Sequence, residues 1–144
     1  MEKIYLAAGW FSEKQAAHRD IVRSVLKELK LPHYSPQHDG KKLSINNSLD
    51  VYNENIEMIS KAPLLIASTC EKDMGTLFEC GYAASLNVPI VYVWLGALPG
   101  QRFNLMLAKT ASAVVETKTA LYKYLEQFSR TGVAHSVPYG GDIE

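Results

Sequence analysis

Short, unbroken apolar runs alternate along this chain with longer segments whose apolar residues recur at helical spacing. That alternation restricts the fold more than any other feature of the sequence. Ile4 to Ala8, Leu64 to Ser68 and Pro89 to Trp94 are largely apolar at successive positions, so strands built from them bury both faces. A short extended piece at His33 to Ser35 and a last run at Ala113 to Glu116 complete five expected strands. Between the first two, Ser12 is placed to cap a helix in which Ala16, Ala17, Ile21, Val22, Val25, Leu26 and Leu29 recur until Pro32. Leu49 to Ser60, with Val51, Ile56 and Ile59 turned inward, Thr76 to Leu86, a shorter piece at Phe103 to Lys109, and Thr119 to Phe128 give the remaining helices. Strands buried on both faces and alternating with helices make an α/β chain with a parallel sheet between two helical layers. With right-handed crossovers the simplest arrangement is the flavodoxin-like (Rossmann-like) three-layer fold with strand order 2-1-3-4-5.

A chain of 144 residues fits one domain spanning 1–144, with an irregular tail from about Gly132 onward, where Pro138 and Gly140-Gly141 break any period. Fifteen basic residues balance 15 acidic ones, so no long-range field draws the chain to a nucleic-acid polymer or an acidic membrane. A small uncharged ligand fits that balance better. Cys70 and Cys80 have no metal-ligand spacing and read as reduced thiols. The chain enters a strand within its first five residues, so no signal peptide is expected, and no apolar stretch approaches the roughly 20 residues that span a bilayer. The expectation is a soluble, cytoplasmic protein.

In such sheets ligands bind beyond the carboxyl ends of the strands, at the switch point between the first and third. The loops to read are therefore Gly9 to Ser12, Pro36 to Lys42 and Thr69 to Gly75. The first is neither a dinucleotide fingerprint nor a P-loop, and it lacks the acidic pair of a phospho-accepting receiver. His18, His33, His38 and His135 form no zinc motif, and there is no nucleophile elbow. No metal or cofactor is called for. What remains is the segment Asp73-Met74-Gly75-Thr76-Leu77-Phe78-Glu79-Cys80-Gly81-Tyr82. Asp73 precedes a helix, where an acid can serve the helix dipole alone. Glu79 lies about one turn inside it among apolar or small neighbours, so the helix reads as mostly buried, and a buried glutamate needs a partner; an exposed stripe is the structural alternative. Two carboxyl groups converging on a pocket can cleave a glycosidic bond, one attacking the anomeric carbon and the other serving the leaving group. Their pKa values must then be pushed apart, with the nucleophile ionised and the acid raised by burial. A helix N-terminus, or the phenol of Tyr5 on the neighbouring strand, would hold Glu79 ionised.

At these residues the sequence resembles the nucleoside 2-deoxyribosyltransferases. Ile4-Tyr5-Leu6-Ala7-Ala8-Gly9-Trp10-Phe11-Ser12 is similar to that family's first strand and base-side loop, and Asp73-x-Gly75-Thr76-x-x-Glu79-x-Gly81-Tyr82-Ala83 to its catalytic segment. Phe103-Asn104-Leu105-Met106 is similar to the segment that reaches into a neighbouring subunit's site. The resemblance implies Glu79 as the nucleophile forming a glycosyl ester, Asp73 as the acid near the departing base, and Tyr5 as the residue orienting the nucleophile. It implies Asn104, beside Met106, as a ligand of the 5′-hydroxyl from an adjacent chain. Gly9, Trp10 and Phe11 would line the base side, with Gly75 in the catalytic segment. The partners implied are 2′-deoxynucleosides and free nucleobases, with a homo-oligomer, a dimer or a multiple of dimers, sharing its sites. One departure stands out: where some members carry an aspartate facing the base, the best-matching position here is Asn55. The loop 36–42 also matches poorly, leaving Gln37 or Asp39 as base contacts or as ordinary solvated residues. Two other readings compete. One is an N-hydrolase of 2′-deoxynucleoside 5′-monophosphates, with Ser12, Lys14 or Arg102 serving the phosphate; the other is a non-catalytic nucleoside-binding domain.

Overall fold

The structure is a computed structural model that describes residues 2–144. The elements follow the order β1 (Ile4–Ala7), α1 (Glu13–Glu28), β2 (His33–Tyr34), α2 (Pro36–Asp39), α3 (Ser48–Lys61), β3 (Leu65–Ser68), a 3-10 turn (Cys70–Lys72), α4 (Met74–Ser85), β4 (Ile90–Val93), α5 (Leu105–Thr110), β5 (Ala111–Val115) and α6 (Lys118–Thr131). The five strands form one parallel sheet in the order β2-β1-β3-β4-β5, the expected arrangement.

Every residue of β1, β3 and β4 is buried, as their unbroken apolar runs require. Alternate side chains serve two cores. Ile4, Leu6, Ile66, Val91 and Val93 pack with Val22, Val25 and Leu26 of α1 and Leu121, Leu125 and Phe128 of α6. On the other face Tyr5, Ala7, Leu65, Ala67 and Tyr92 pack with Ile59 of α3 and Cys80 and Ala83 of α4. Ser12 caps α1 by accepting the Gln15 N–H at 3.1 Å, and Thr117 caps α6 through the Ala120 N–H at 3.0 Å. Gly132 ends α6 with φ 69°, the left-handed conformation that costs a glycine least.

Several boundaries differ from the sequence reading, each for a local reason. The segment after β2 opens with one helical turn, α2, because Pro36 has its φ preset at the first helical position. Helix α4 starts at Met74, not Thr76, since Asp73 acts as its cap. Helix α5 starts at Leu105 because Asn104 caps it, while Phe103 is drawn into a parallel bridge with Ile143. The tail has neither helix nor ladder, yet it is tied down: Phe103 N–H donates to Asp142 O at 2.9 Å, Val137 N–H to Ser112 O at 2.7 Å, and the Tyr139 and Phe103 rings lie 5.5 Å apart. Helix α4 is not mostly buried. Thr76, Cys80 and Ala83 face inward, whereas Met74 and Phe78 stand exposed. Among the described residues no helix is long and apolar enough to cross a membrane.

Candidate active site

A cavity of about 730 Å³ opens at the carboxyl ends of β1 and β3, where the fold rule places ligands. Its walls come from four places: Ala8, Trp10 and Phe11 after β1, Pro36 after β2, Tyr52, Asn55, Ile56 and Ile59 on α3, and Asp73, Met74, Gly75, Phe78 and Glu79 around the start of α4. No lysine or arginine lines it. The Trp10 and Phe11 rings stack at 5.0 Å, and Tyr52 faces Phe78 at 6.3 Å. A planar, mostly apolar ligand suits such walls.

Parallel pairing fixes the chemistry at the floor. Tyr5 stands opposite Leu65 on one side and Tyr34 on the other, so its ring enters the α4 side of the sheet, fully buried. Its hydroxyl donates to Glu79 Oε2. Burial acts first on Glu79, pushing its carboxyl up to about 7; the Tyr5 hydrogen bond opposes this and the charge of Asp73 adds to it. Of the two groups expected to hold Glu79 ionised, the Tyr5 phenol acts in that direction and the helix N-terminus does not. Glu79 is the sixth residue of α4, beyond the first turn in which the dipole acts. The Tyr5 phenol is raised far above its ordinary value, chiefly by burial and then by Glu79, and remains a donor at any working pH. Behind this pair the Cys80 thiol is pushed up to about 12 by burial, so it is inert as a nucleophile.

Asp73 lines the same cavity and caps α4, its Oδ2 accepting from the Thr76 N–H at 2.9 Å and the Thr76 hydroxyl at 2.8 Å. The backbone delivering it holds Glu71 and Lys72 at φ 55° and 51°, a left-handed conformation costing roughly 1–2 kcal/mol per residue. The Ser12 hydroxyl bonded to the Glu71 carboxylate ties this turn to the loop after β1.

Trp10, Phe11, Asn55, Asp73, Gly75 and Glu79 therefore meet around one cavity, with Tyr5 beneath. Gly9 is buried and stands behind the wall. A Cβ there would come within 2.7 Å of the Gln15 side chain, whose Oε1 accepts the Phe11 N–H at 2.9 Å. Gln37 does not line the cavity, because its amide oxygen accepts from the Arg19 guanidinium; Asp39 is likewise absent, its carboxylate taking the Ser35 N–H. Asn104 and Met106 belong to another part of the chain. Asn104 faces a separate cavity of about 420 Å³ with Trp94, Arg102 and Glu144 and accepts the Leu107 N–H, while Met106 is exposed.

Sequence reasoning missed Gln15, Tyr34, Tyr52, Glu54 and Phe78. The signal for Tyr52 was present, since it lies three residues before Asn55 on one helix face. Nothing local marked Tyr34, whose hydroxyl donates to Glu54 Oε1 at 2.6 Å across two elements.

The family model for nucleoside 2-deoxyribosyltransferase matches residues 4–106. A 2-deoxyribosyltransferase from Bacillus psychrosaccharolyticus superposes with a TM-score of 0.75 at 25% identity, over 95% of this chain and 98% of that one. A 2-desoxiribosyltransferase from Leishmania mexicana (TM-score 0.64, 22% identity, 92% and 100% covered) shares the fold. So does a CMP N-glycosidase from Clostridium botulinum (TM-score 0.57, 14% identity, 87% and 98% covered). No curated protein matches the chain in sequence. The family match spans well over half the chain and includes both the strand that carries Tyr5 and the helix that carries Glu79, and on that ground the chain belongs to the nucleoside 2-deoxyribosyltransferase family.

Proposed function

We propose that the protein transfers 2-deoxyribose between nucleobases through a covalent ester at Glu79. The observation that carries this reading is the buried Tyr5 hydroxyl bonded to Glu79 at a cavity that also holds Asp73. In the first half-reaction a Glu79 carboxylate oxygen attacks C1′ of the donor. The C1′–N bond breaks with its electron pair passing to the base, and the Asp73 carboxylate relays to the base a proton taken from solvent. In the second half an acceptor base attacks C1′ from the face the first base left, the ester bond breaks back to the Glu79 carboxylate, and the acceptor's proton leaves through Asp73 to solvent. Two displacements retain the anomeric configuration and give ping-pong kinetics. The Tyr5 bond holds the carboxylate at one angle and lowers the pKa that burial raises.

The wall composition supports this reading over a 5′-monophosphate N-hydrolase. A phosphate needs cationic or hydroxyl-rich partners, and the three residues offered for it lie elsewhere. Ser12 is engaged with Glu71, Lys14 lines a different cavity with His18 and Lys72, and Arg102 stands beside Asn104, outside the cavity of its own chain, so that only a neighbouring copy could bring it to a 5′-phosphate. Incubation of 2′-deoxyadenosine with a second free base is expected to give the second deoxynucleoside. The 5′-monophosphate in the same assay is expected to remain intact. Free base and free sugar without a new nucleoside would mark a hydrolase, and bound but unchanged nucleoside a binding domain.

Asn104 enters this reading through a second copy of the chain. It is exposed beside Leu105 and Met106, themselves 45% and 71% exposed, and within the chain it does not line the cavity that holds Glu79. In a homo-oligomer it supplies the 5′-hydroxyl contact of its neighbour's cavity. Mixing inactive Glu79→Ala chains with weakly active Asn104→Ala chains is then expected to restore activity in hybrid sites. No recovery after proven subunit exchange would show that each chain completes its own site.

A further inference from the structure

The contacts of Asn55 carry information about which base the cavity selects. Tyr34 is 4% exposed, and its hydroxyl oxygen lies 2.6 Å from Glu54 Oε1 and 3.4 Å from Asn55 Oδ1. A phenol has one proton to give. Glu54 takes it, at a distance proper to a charge-assisted hydrogen bond. Glu54 is fixed as the acceptor by the Lys41 N–H at 3.2 Å and by the Lys41 ammonium at 3.9 Å. The backbone closes over the pair at Gly40, where a Cβ would come within 2.5 Å of the Tyr34 hydroxyl and 3.2 Å of Glu54. Burial, then the bond to Glu54, raises the Tyr34 phenol above its ordinary value, so the proton stays between these two groups.

With that proton committed, the Tyr34 oxygen offers Asn55 only lone pairs. An amide oxygen against them repels, whereas the amide nitrogen, reached by a half-turn of the side chain, donates to them. We propose that Tyr34 and Glu54 are specificity-determining residues that hold the Asn55 amide with its N–H2 toward Tyr34 and its carbonyl toward the cavity, so that the site favours nucleobases presenting an exocyclic amino group. Asn55 then offers the base a hydrogen-bond acceptor, the same polarity as a carboxylate at that position. This inference rests on the reading of the cavity as a nucleobase site.

Adenine and unsubstituted purine differ only by the amino group, so the ratio of their kcat/KM values as acceptors measures the effect. Wild type is expected to favour adenine by about tenfold or more, the scale of one buried hydrogen bond left unmade. Asn55→Asp, an acceptor only, should keep the preference. Tyr34→Phe frees the amide to turn and should bring the ratio to within about threefold of unity. Glu54→Leu releases the Tyr34 proton toward Asn55 Oδ1, turns the N–H2 to the cavity, and should abolish or invert the preference even if Tyr34→Phe does not fold. A wild type indifferent to the amino group, or either folded variant with undiminished preference, would overturn the inference. Absence of exchange with every base would instead count against the transferase reading on which it rests.

Discussion

Glu79→Gln is expected to lower turnover by at least about a thousandfold and, at the same time, to make the protein more stable at alkaline pH. Both effects follow from one side chain. Glutamine is nearly isosteric and can still accept the Tyr5 hydroxyl, but it offers no carboxylate to form the ester. The stability gain follows from the carboxyl's pKa, raised by burial from 4.5 to about 7 in the folded protein. The native state then binds more protons than the unfolded state between those values, so stability falls as pH rises through that window and the penalty is complete above about 7. A shift of that size corresponds to roughly 3 kcal/mol. Urea unfolding should therefore find wild type and Glu79→Gln equally stable near pH 4 and the variant roughly 2–3 kcal/mol more stable at pH 8. The same titration predicts that wild-type donor cleavage rises with pH through about 7 as the nucleophile ionises. Equal stabilities at pH 8 would mean that Glu79 is not the strained group proposed here.

The second large effect concerns Asp73, which has two separable functions. It caps α4 through Thr76, and it is proposed to move the base's proton. Asp73→Ser retains a capping oxygen and loses the acid. It is expected to keep stability within about 0.5 kcal/mol while turnover falls by about 10²–10⁴-fold. Asp73→Ala loses both and should also destabilise by about 1 kcal/mol. Removing the Asp73 charge relieves one cause that raises Glu79, so the surviving activity of either variant should have its pH profile displaced toward acid. Near-normal turnover in Asp73→Ser would reduce this residue to its capping function.

These expectations trace back to features of unequal legibility in the sequence. The unbroken apolar runs of β1, β3 and β4 set the parallel sheet, the sheet put Tyr5 beside β3, and the switch point directed attention to the loops that meet there. Tyr5, Asp73 and Glu79 could thus be brought together from spacing and family resemblance. What stayed hidden depends on which of several partners a long polar side chain meets in three dimensions. Gln37 sits in a ligand-facing loop, yet the Arg19 guanidinium, 18 residues earlier, takes its amide oxygen. Tyr34 and Glu54, 20 residues apart, pair across two elements. The upward push of burial on Glu79 is not legible in the sequence, because apolar neighbours in sequence say little about how far a carboxyl is dried. The exposed Phe78 shows the same limit from the other side, since its neighbour three residues back on α4, Gly75, also lines the cavity and the helix turns that face to the cavity.

The account turns on the ester at Glu79, and one measurement addresses it directly. The protein is mixed with excess 2′-deoxynucleoside in the absence of any acceptor base, quenched in denaturant, and analysed by intact mass and peptide mapping. The predicted result is a chain heavier by one deoxyribosyl group, carried on the peptide containing Glu79, and lost when acceptor base is added before the quench. An unmodified chain accumulating free deoxyribose in a single step, or a sugar attached at any other residue, would contradict it.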